Sequence, residues 1–169
     1  MLKRFKFLSK INKYLFSSLI ITILVIISCS HNKGNKVLFG KLENGESIYK
    51  YLLTNGQCEV EIITYGGIIT SIKVPDKNNN MLDVALGFDT LEPYLEGHPY
   101  FGAIVGRYAN RIDNGKFTID NTDYNLAVNN NGTSLHGGLK GFDKVNWNVL
   151  SYDLENKRFL KLKFITNCL

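Results

Sequence analysis

Arg111 and His136 are the two side chains best placed to do chemistry. Arg111 lies near the end of the string Gly102-Ala103-Ile104-Val105-Gly106-Arg107-Tyr108-Ala109-Asn110-Arg111-Ile112, and His136 sits within Asn131-Gly132-Thr133-Ser134-Leu135-His136-Gly137-Gly138. The planar fork of an arginine can hold a developing oxyanion or two neighbouring hydroxyls at once. A histidine titrates near neutrality and can give or take a proton at working pH. The small residues around both leave the backbone open to a ligand. Asn110 stands next to Arg111. Each residue also has a plain structural reading: Arg111 as a salt-bridged surface arginine, His136 as a loop histidine satisfied by carbonyls. Arg107 lies four residues before Arg111. If the segment is extended, the alternation of side chains puts Arg107 and Arg111 on one face and Tyr108 and Asn110 on the other.

The elements that must position these residues are strands. Ser47 to Leu53 and Glu59 to Ile63 alternate apolar with polar, the period of a half-buried strand. Asn55-Gly56 between them reads as a hairpin turn, because both residue types tolerate positive φ. Further strands are expected at Ile68 to Val74, Leu82 to Leu86, Lys116 to Ile119, Tyr124 to Leu126, Val145 to Leu150 and Phe159 to Phe164. Asn121-Thr122-Asp123 is expected to turn one hairpin, and Asp153 to Asn156 to separate the last two strands. Thr90 to Glu96 fits one or two helical turns, with Asp89 or Thr90 as cap, Glu92 early for the dipole and Pro93 limiting the length. Many short strands with turn chemistry between them argue for an all-β sandwich. Gly102 to Gly106 lacks the Lys-Ser/Thr and the following helix of a phosphate loop.

The formal charge of +5 suggests a nucleic-acid partner, but its distribution excludes one. Residues 1–28 hold Lys3, Arg4, Lys6, Lys10 and Lys13 and no acid, leaving 15 basic and 15 acidic residues from Cys29 onward. Those first 28 residues have the plan of a secretory signal: a positive start, an apolar core from Leu15 to Ile27, then small residues. A 13-residue core is short for a hydrocarbon layer roughly 30 Å thick, although its flank could lengthen it into an anchor. Ile26-Ile27-Ser28-Cys29 resembles a bacterial lipobox, with Cys29 as the lipidated first residue and residues 29–36 as a tether. The expected location is the membrane on its periplasmic or cell-envelope side, held through lipid on Cys29, since stable anchoring takes more than one acyl chain. A plain signal peptide with an incidental cysteine is the alternative. Cys58 and Cys168 give no disulfide framework, and Cys58 reads as a small buried hydrophobe opening a strand. No metal-ligand spacing occurs among the histidines and thiols.

Taken together the motifs resemble the aldose 1-epimerase (galactose mutarotase) family. Tyr65-Gly66-Gly67, Tyr100-Phe101-Gly102, Gly106-Arg107-Tyr108-Ala109-Asn110-Arg111-Ile112, Gly115-Lys116-Phe117 and Leu135-His136-Gly137-Gly138 stand in that family's order. Gly141-Phe142-Asp143-Lys144 and Trp147 continue the match. The resemblance implies a β-sandwich of the galactose-mutarotase type over residues 37–169. It implies interconversion of the α and β anomers of an aldohexose such as galactose or glucose, with neither cofactor nor metal. Arg111 and His136 would be among the catalytic, substrate-contacting residues, with Asn110 beside them at the sugar. In such a reaction a base takes the C1 hydroxyl proton while an acid protonates the ring oxygen. The ring opens, the C1–C2 bond turns, and closure on the other face gives the other anomer.

The resemblance ends between about Trp147 and Phe164. The family's second histidine, a sugar-gripping aspartate and the glutamate read as general base have no counterpart before Leu169. The expectation is therefore the N-terminal portion of an epimerase domain, an incomplete and inactive fragment. A lipid-anchored, non-catalytic carbohydrate-binding module is the alternative.

Overall fold

A computed structural model describes residues 36–153 and 160–163. The leader, Cys29 with its lipobox, most of the tether, and Cys168 lie outside the described residues. Five antiparallel strands form a sheet in sequence order: β1 (Lys36–Lys41), β2 (Ser47–Thr54), β3 (Glu59–Ile63), β4 (Ile69–Pro75) and β5 (Met81–Asp83). The period-two pattern sets its register, since a slip of one residue would turn every apolar side chain to the wrong face. Tyr51 pairs with Ile62 and Leu53 with Val60, and Lys50 Nζ meets Glu61 Oε2 at 2.8 Å between the same two strands.

The β2–β3 turn differs from the expected two-residue hairpin. It has four residues, Asn55 to Cys58, and only Gly56 has positive φ, at 88°. Asn55 works through its side chain: its Oδ1 accepts the Gln57 and Cys58 amides at 3.0 and 2.7 Å, a local bond that mimics a backbone turn. Cys58 consequently ends a loop, partly exposed and unbridged, rather than opening a strand as a buried residue. β5 is also shorter than expected: it ends at Asp83, Val84 N makes a last bond to Ile72 O at 2.8 Å, and Ala85 and Leu86 leave the sheet. The Asp83 carboxylate accepts the Ile72 and Ala85 amides, both at 3.0 Å, and turns the chain out there.

The core lies between this sheet and the short helix α1 (Glu92–Glu96). Ile48, Ile63 and Ile68 are fully buried with Leu91 and Tyr94 against them. The Tyr94 hydroxyl accepts the Phe88 amide at 2.7 Å, which satisfies a polar atom that burial would otherwise penalise. α1 starts at Glu92 with Leu91 at the N-cap and no side-chain cap, so neither Asp89 nor Thr90 caps it. Packing of Leu91 into the core sets that boundary instead.

Beyond the helix the strands are short: β6 (Arg111–Asp113), β7 (Lys116–Ile119), β8 (Thr122–Asn125), β9 (Thr133–Leu135), β10 (Asn148–Tyr152) and β11 (Leu160–Lys163). β7 and β8 form a hairpin turned by Asp120-Asn121, both left-handed at φ 49° and 59°. The turn thus lies one residue before the expected one. β6 pairs with β9 around that hairpin, and β10 pairs with β11. β10 begins at Asn148, not Val145, because Val145 and Trp147 instead bind the turn between β3 and β4. Gly66 N donates to Val145 O at 2.8 Å and Trp147 N to Thr64 O at 2.8 Å. From the other side Ile69 N bonds Gly102 O at 3.0 Å and Ile104 N bonds Gly66 O at 3.1 Å. The Tyr65-Gly66-Gly67 turn is therefore held by both segments that flank the candidate site.

Candidate functional site

The β6–β9 pair brings the two candidate residues together. Arg111 is the first residue of β6 and stands opposite Leu135, so His136 follows immediately at the end of β9. The residue leading into the pair and the residue leading out of it are both left-handed: Asn110 has φ 65° and His136 φ 54°. Outside glycine such backbone is uncommon and costs roughly 1 kcal/mol or more, so neighbouring bonds must hold it. They do so reciprocally. His136 N donates to Asn110 O at 3.0 Å, and Asn110 N donates to His136 Nδ1 at 2.9 Å.

That second bond fixes the tautomer of the neutral ring. Nδ1 accepts, so the proton resides on Nε2, and Nε2–H is the donor left for a ligand. The half-buried ring also meets Tyr100 edge-on, with centroids 4.6 Å apart at 69°. Tyr100 is itself left-handed at φ 60°. Burial first, then the charge of Asp143, push its hydroxyl above the ordinary tyrosine range, while the Asn129 side chain pulls the other way.

Arg111 is exposed, and its hydrogen bonds go to amide oxygens. Nε and one terminal nitrogen donate to Asn130 Oδ1 at 3.4 and 3.2 Å, and the other terminal nitrogen donates to Asn110 Oδ1 at 3.3 Å. Neutral acceptors orient the guanidinium without cancelling its charge. Of its five N–H donors, three are used by these bonds and two have no partner among the described residues. The salt-bridged surface arginine is thus not what these contacts describe.

Arg107 goes elsewhere. Residues 107–110 bend, and the left-handed Asn110 breaks the alternation, so Arg107 and Arg111 do not share a strand face. The Arg107 guanidinium carbon lies 5.7 Å from the centre of the Phe142 ring. Asn110 and Arg111, expected on opposite faces, are instead joined side chain to side chain.

Phe142 and Trp147 form the floor behind this segment. Their rings meet edge-on at 5.8 Å, Trp147 Nε1 donates to Phe142 O at 3.1 Å, and Phe142 N donates to Gly106 O at 3.0 Å. Asp143 is buried, with Oδ2 4.0 Å from Lys144 Nζ. His98 stands near this carboxylate with its Nδ1 accepting the Phe101 amide at 3.1 Å. Burial holds the His98 imidazole below its ordinary range, the Asp143 charge opposes that, and Lys144 adds to it.

The sequence context of Asn129, Asn130 and Tyr100 does not mark them as site residues. Asn129 and Asn130 look like part of a polar loop, and only the β6–β9 pairing shows what their amides hold. Among the described residues no group of three or more His, Cys, Asp and Glu side chains gathers as a metal site would require.

Residues 49–166 match the family model described as aldose 1-epimerase. The chain is 50% identical over 126 residues to galactose mutarotase of Bos taurus, covering 73% of this chain and 37% of that protein. It is 49% identical over 124 residues to galactose mutarotase of Sus scrofa, covering 72% and 36%. It therefore spans just over a third of the length of these curated relatives. The crystal structure of a GalM/aldose epimerase homologue from C. elegans superposes with a TM-score of 0.60 at 31% identity, over 63% of this chain and 33% of that one. Galactose 1-epimerase from Lactobacillus acidophilus gives a TM-score of 0.58 at 24% identity, covering 72% and 35%. The expected all-β, mutarotase-type fold is thus the one observed.

Proposed function

The chain belongs to the aldose 1-epimerase family, and on that footing we propose that Asn110, Arg111 and His136 form the sugar-holding side of an aldohexose mutarotation site. The observation that carries the reading is the pair of outward donor sets on one strand pair. Among the described residues, two guanidinium N–H groups of Arg111 and the Nε2–H of His136 have no hydrogen-bond partner, and neutral amides orient both side chains. Sugar hydroxyls and the ring oxygen are neutral acceptors that gain negative character as the ring opens. Donors fixed before the reaction stabilise that change without having to reorganise. His136 suits a bond near the ring oxygen, and Arg111 suits the charge that shifts between oxygens. Galactose is the first substrate to test, because the Bos taurus and Sus scrofa relatives are galactose mutarotases.

The role of these residues is holding and polarising. Calorimetric titration of the 169-residue chain with galactose should show binding that Arg111→Ala weakens at least tenfold, the equivalent of one or two charge-assisted bonds. Equal affinity in the two proteins would sink the assignment. Polarimetry on the same samples reads the reaction itself: faster anomer equilibration, lost in Arg111→Ala, would add catalysis to holding.

The leader supports an exported form of this activity, with residues 1–28 removed and Cys29 lipidated. Mass spectrometry of the mature N-terminus decides that point. An unmodified Cys29, or a start elsewhere, removes the anchor from the proposal.

A further inference from the structure

Asn129 lies outside the sugar-holding set, yet it makes three hydrogen bonds to the peptides on either side of His136. Its Oδ1 accepts the Leu135 amide at 2.7 Å, and its Nδ2 donates to Leu135 O and to Gly138 O, both at 3.1 Å. The side chain thereby spans the turn that carries His136 from β9 into the following 3₁₀ turn. It also faces the Tyr100 hydroxyl, and the Tyr100 ring is the aromatic surface on which the imidazole leans. With both side-chain atoms satisfied, the amide is half-buried and not presented to a ligand. Backbone N–H and C=O groups of a tight turn need partners, and β9 ends before it can supply them here. Without Asn129 the left-handed His136 would be held mainly by its two bonds to Asn110.

We propose that Asn129 is a positioning residue for His136: it locks the turn so that Nδ1 stays on the Asn110 amide and Nε2–H points outward. The inference deepens the sugar-site reading and rests on it for its functional consequence, but not for its structural claim. The two can fail separately.

The structural claim is tested by nitrogen-detected NMR of the His136 ring in the 169-residue chain. The wild-type ring should show the single Nε2–H tautomer. In Asn129→Ala the ring nitrogens should move toward the averaged signature of a mobile imidazole, while Asn131→Ala, an exposed change in the same loop, leaves them in place. A folded Asn129→Ala protein with the wild-type ring signature overturns the proposal. Exchange in the unmutated protein gives a measurement that does not depend on the variant folding. The Leu135 amide and the Asn129 side-chain protons should exchange at least roughly tenfold more slowly than the Asn131 side-chain protons, as for buried bonds against exposed ones. Comparable rates overturn it as well. The functional consequence is read by galactose titration: Asn129→Ala should weaken binding by roughly tenfold, the loss of one well-aimed bond. If the ring signature moves and the affinity does not, the positioning claim stands and the assignment of His136 to the sugar falls.

Discussion

At Arg111 the decisive detail is the type of its partners. Amide oxygens of Asn110 and Asn130 aim the guanidinium and leave its charge available. A carboxylate in either place would hold the same geometry and neutralise it. Asn130→Asp is thus a near-isosteric test of charge against shape. It should leave the fold intact, because Asn130 is joined to Thr133 through its backbone, with Thr133 N and Oγ1 donating to Asn130 O at 2.8 and 2.7 Å. Galactose affinity should fall roughly tenfold or more as the new ion pair competes with the sugar. Affinity equal to that of the unmutated protein, measured by calorimetry, would show that the Arg111 charge is not what binds. The same scale explains why Arg107 is the poorer candidate, since its guanidinium packs beside Phe142 and makes none of the amide contacts that aim Arg111.

At the scale of elements, the site depends on a close approach between two turns. Gly137 has φ 95°, and a Cβ built there would run into Gly106 O, the carbonyl that accepts the Phe142 amide. The glycine after His136 is therefore required both by backbone conformation and by space. Gly137→Ala should cost about 2 kcal/mol or more in urea unfolding, because strain and collision add. Gly45→Ala supplies the comparison: its φ is 85° but nothing lies within 4 Å of a built Cβ. It should cost only about 1 kcal/mol, the strain alone. If both changes cost the same, the packing of the His136 turn on the Gly106 loop is not what stabilises this region.

At the scale of the whole molecule, stability should respond to pH through His98. Its ring is held neutral in the fold by burial, and as a neutral ring its Nδ1 can accept the Phe101 amide. A depressed folded value means that the unfolded chain binds the proton more readily. The stability it contributes is complete above the unfolded value of about 6.5 and is lost as pH falls through the lower folded one. Urea midpoints measured at about pH 7.5 and 5.5, on either side of that value, should therefore fall on acidification. His98→Asn should flatten that fall while keeping an acceptor for Phe101. Asp143 and Lys144 are the charged groups facing the ring, and they act in opposite directions. An identical pH dependence in the variant would place the titration elsewhere. Asp83 is not that group: the Ser71 hydroxyl first, then the Ala85 and Ile72 amides, hold its carboxyl below the ordinary carboxylate range, so it keeps its charge throughout this window.

The sequence by itself determined the strand periodicity, the all-β class, the concentration of the net positive charge in residues 1–28, and the two glycine-framed strings that hold Arg111 and His136. These are legible because alternation and turn chemistry are local, repeating over roughly five to eight residues. The boundaries that moved were those set by contact at a distance. α1 begins where Leu91 enters the core, and β10 begins where residues 145–147 stop bonding to the Tyr65 turn. Tertiary structure alone decided the site. β6 and β9 have three residues each, too short to show a period, and they pair across the β7–β8 hairpin. That pairing sets Arg111 against Leu135, and it makes Asn129 and Asn130 more than loop residues: with Asn110 they frame Arg111 and His136.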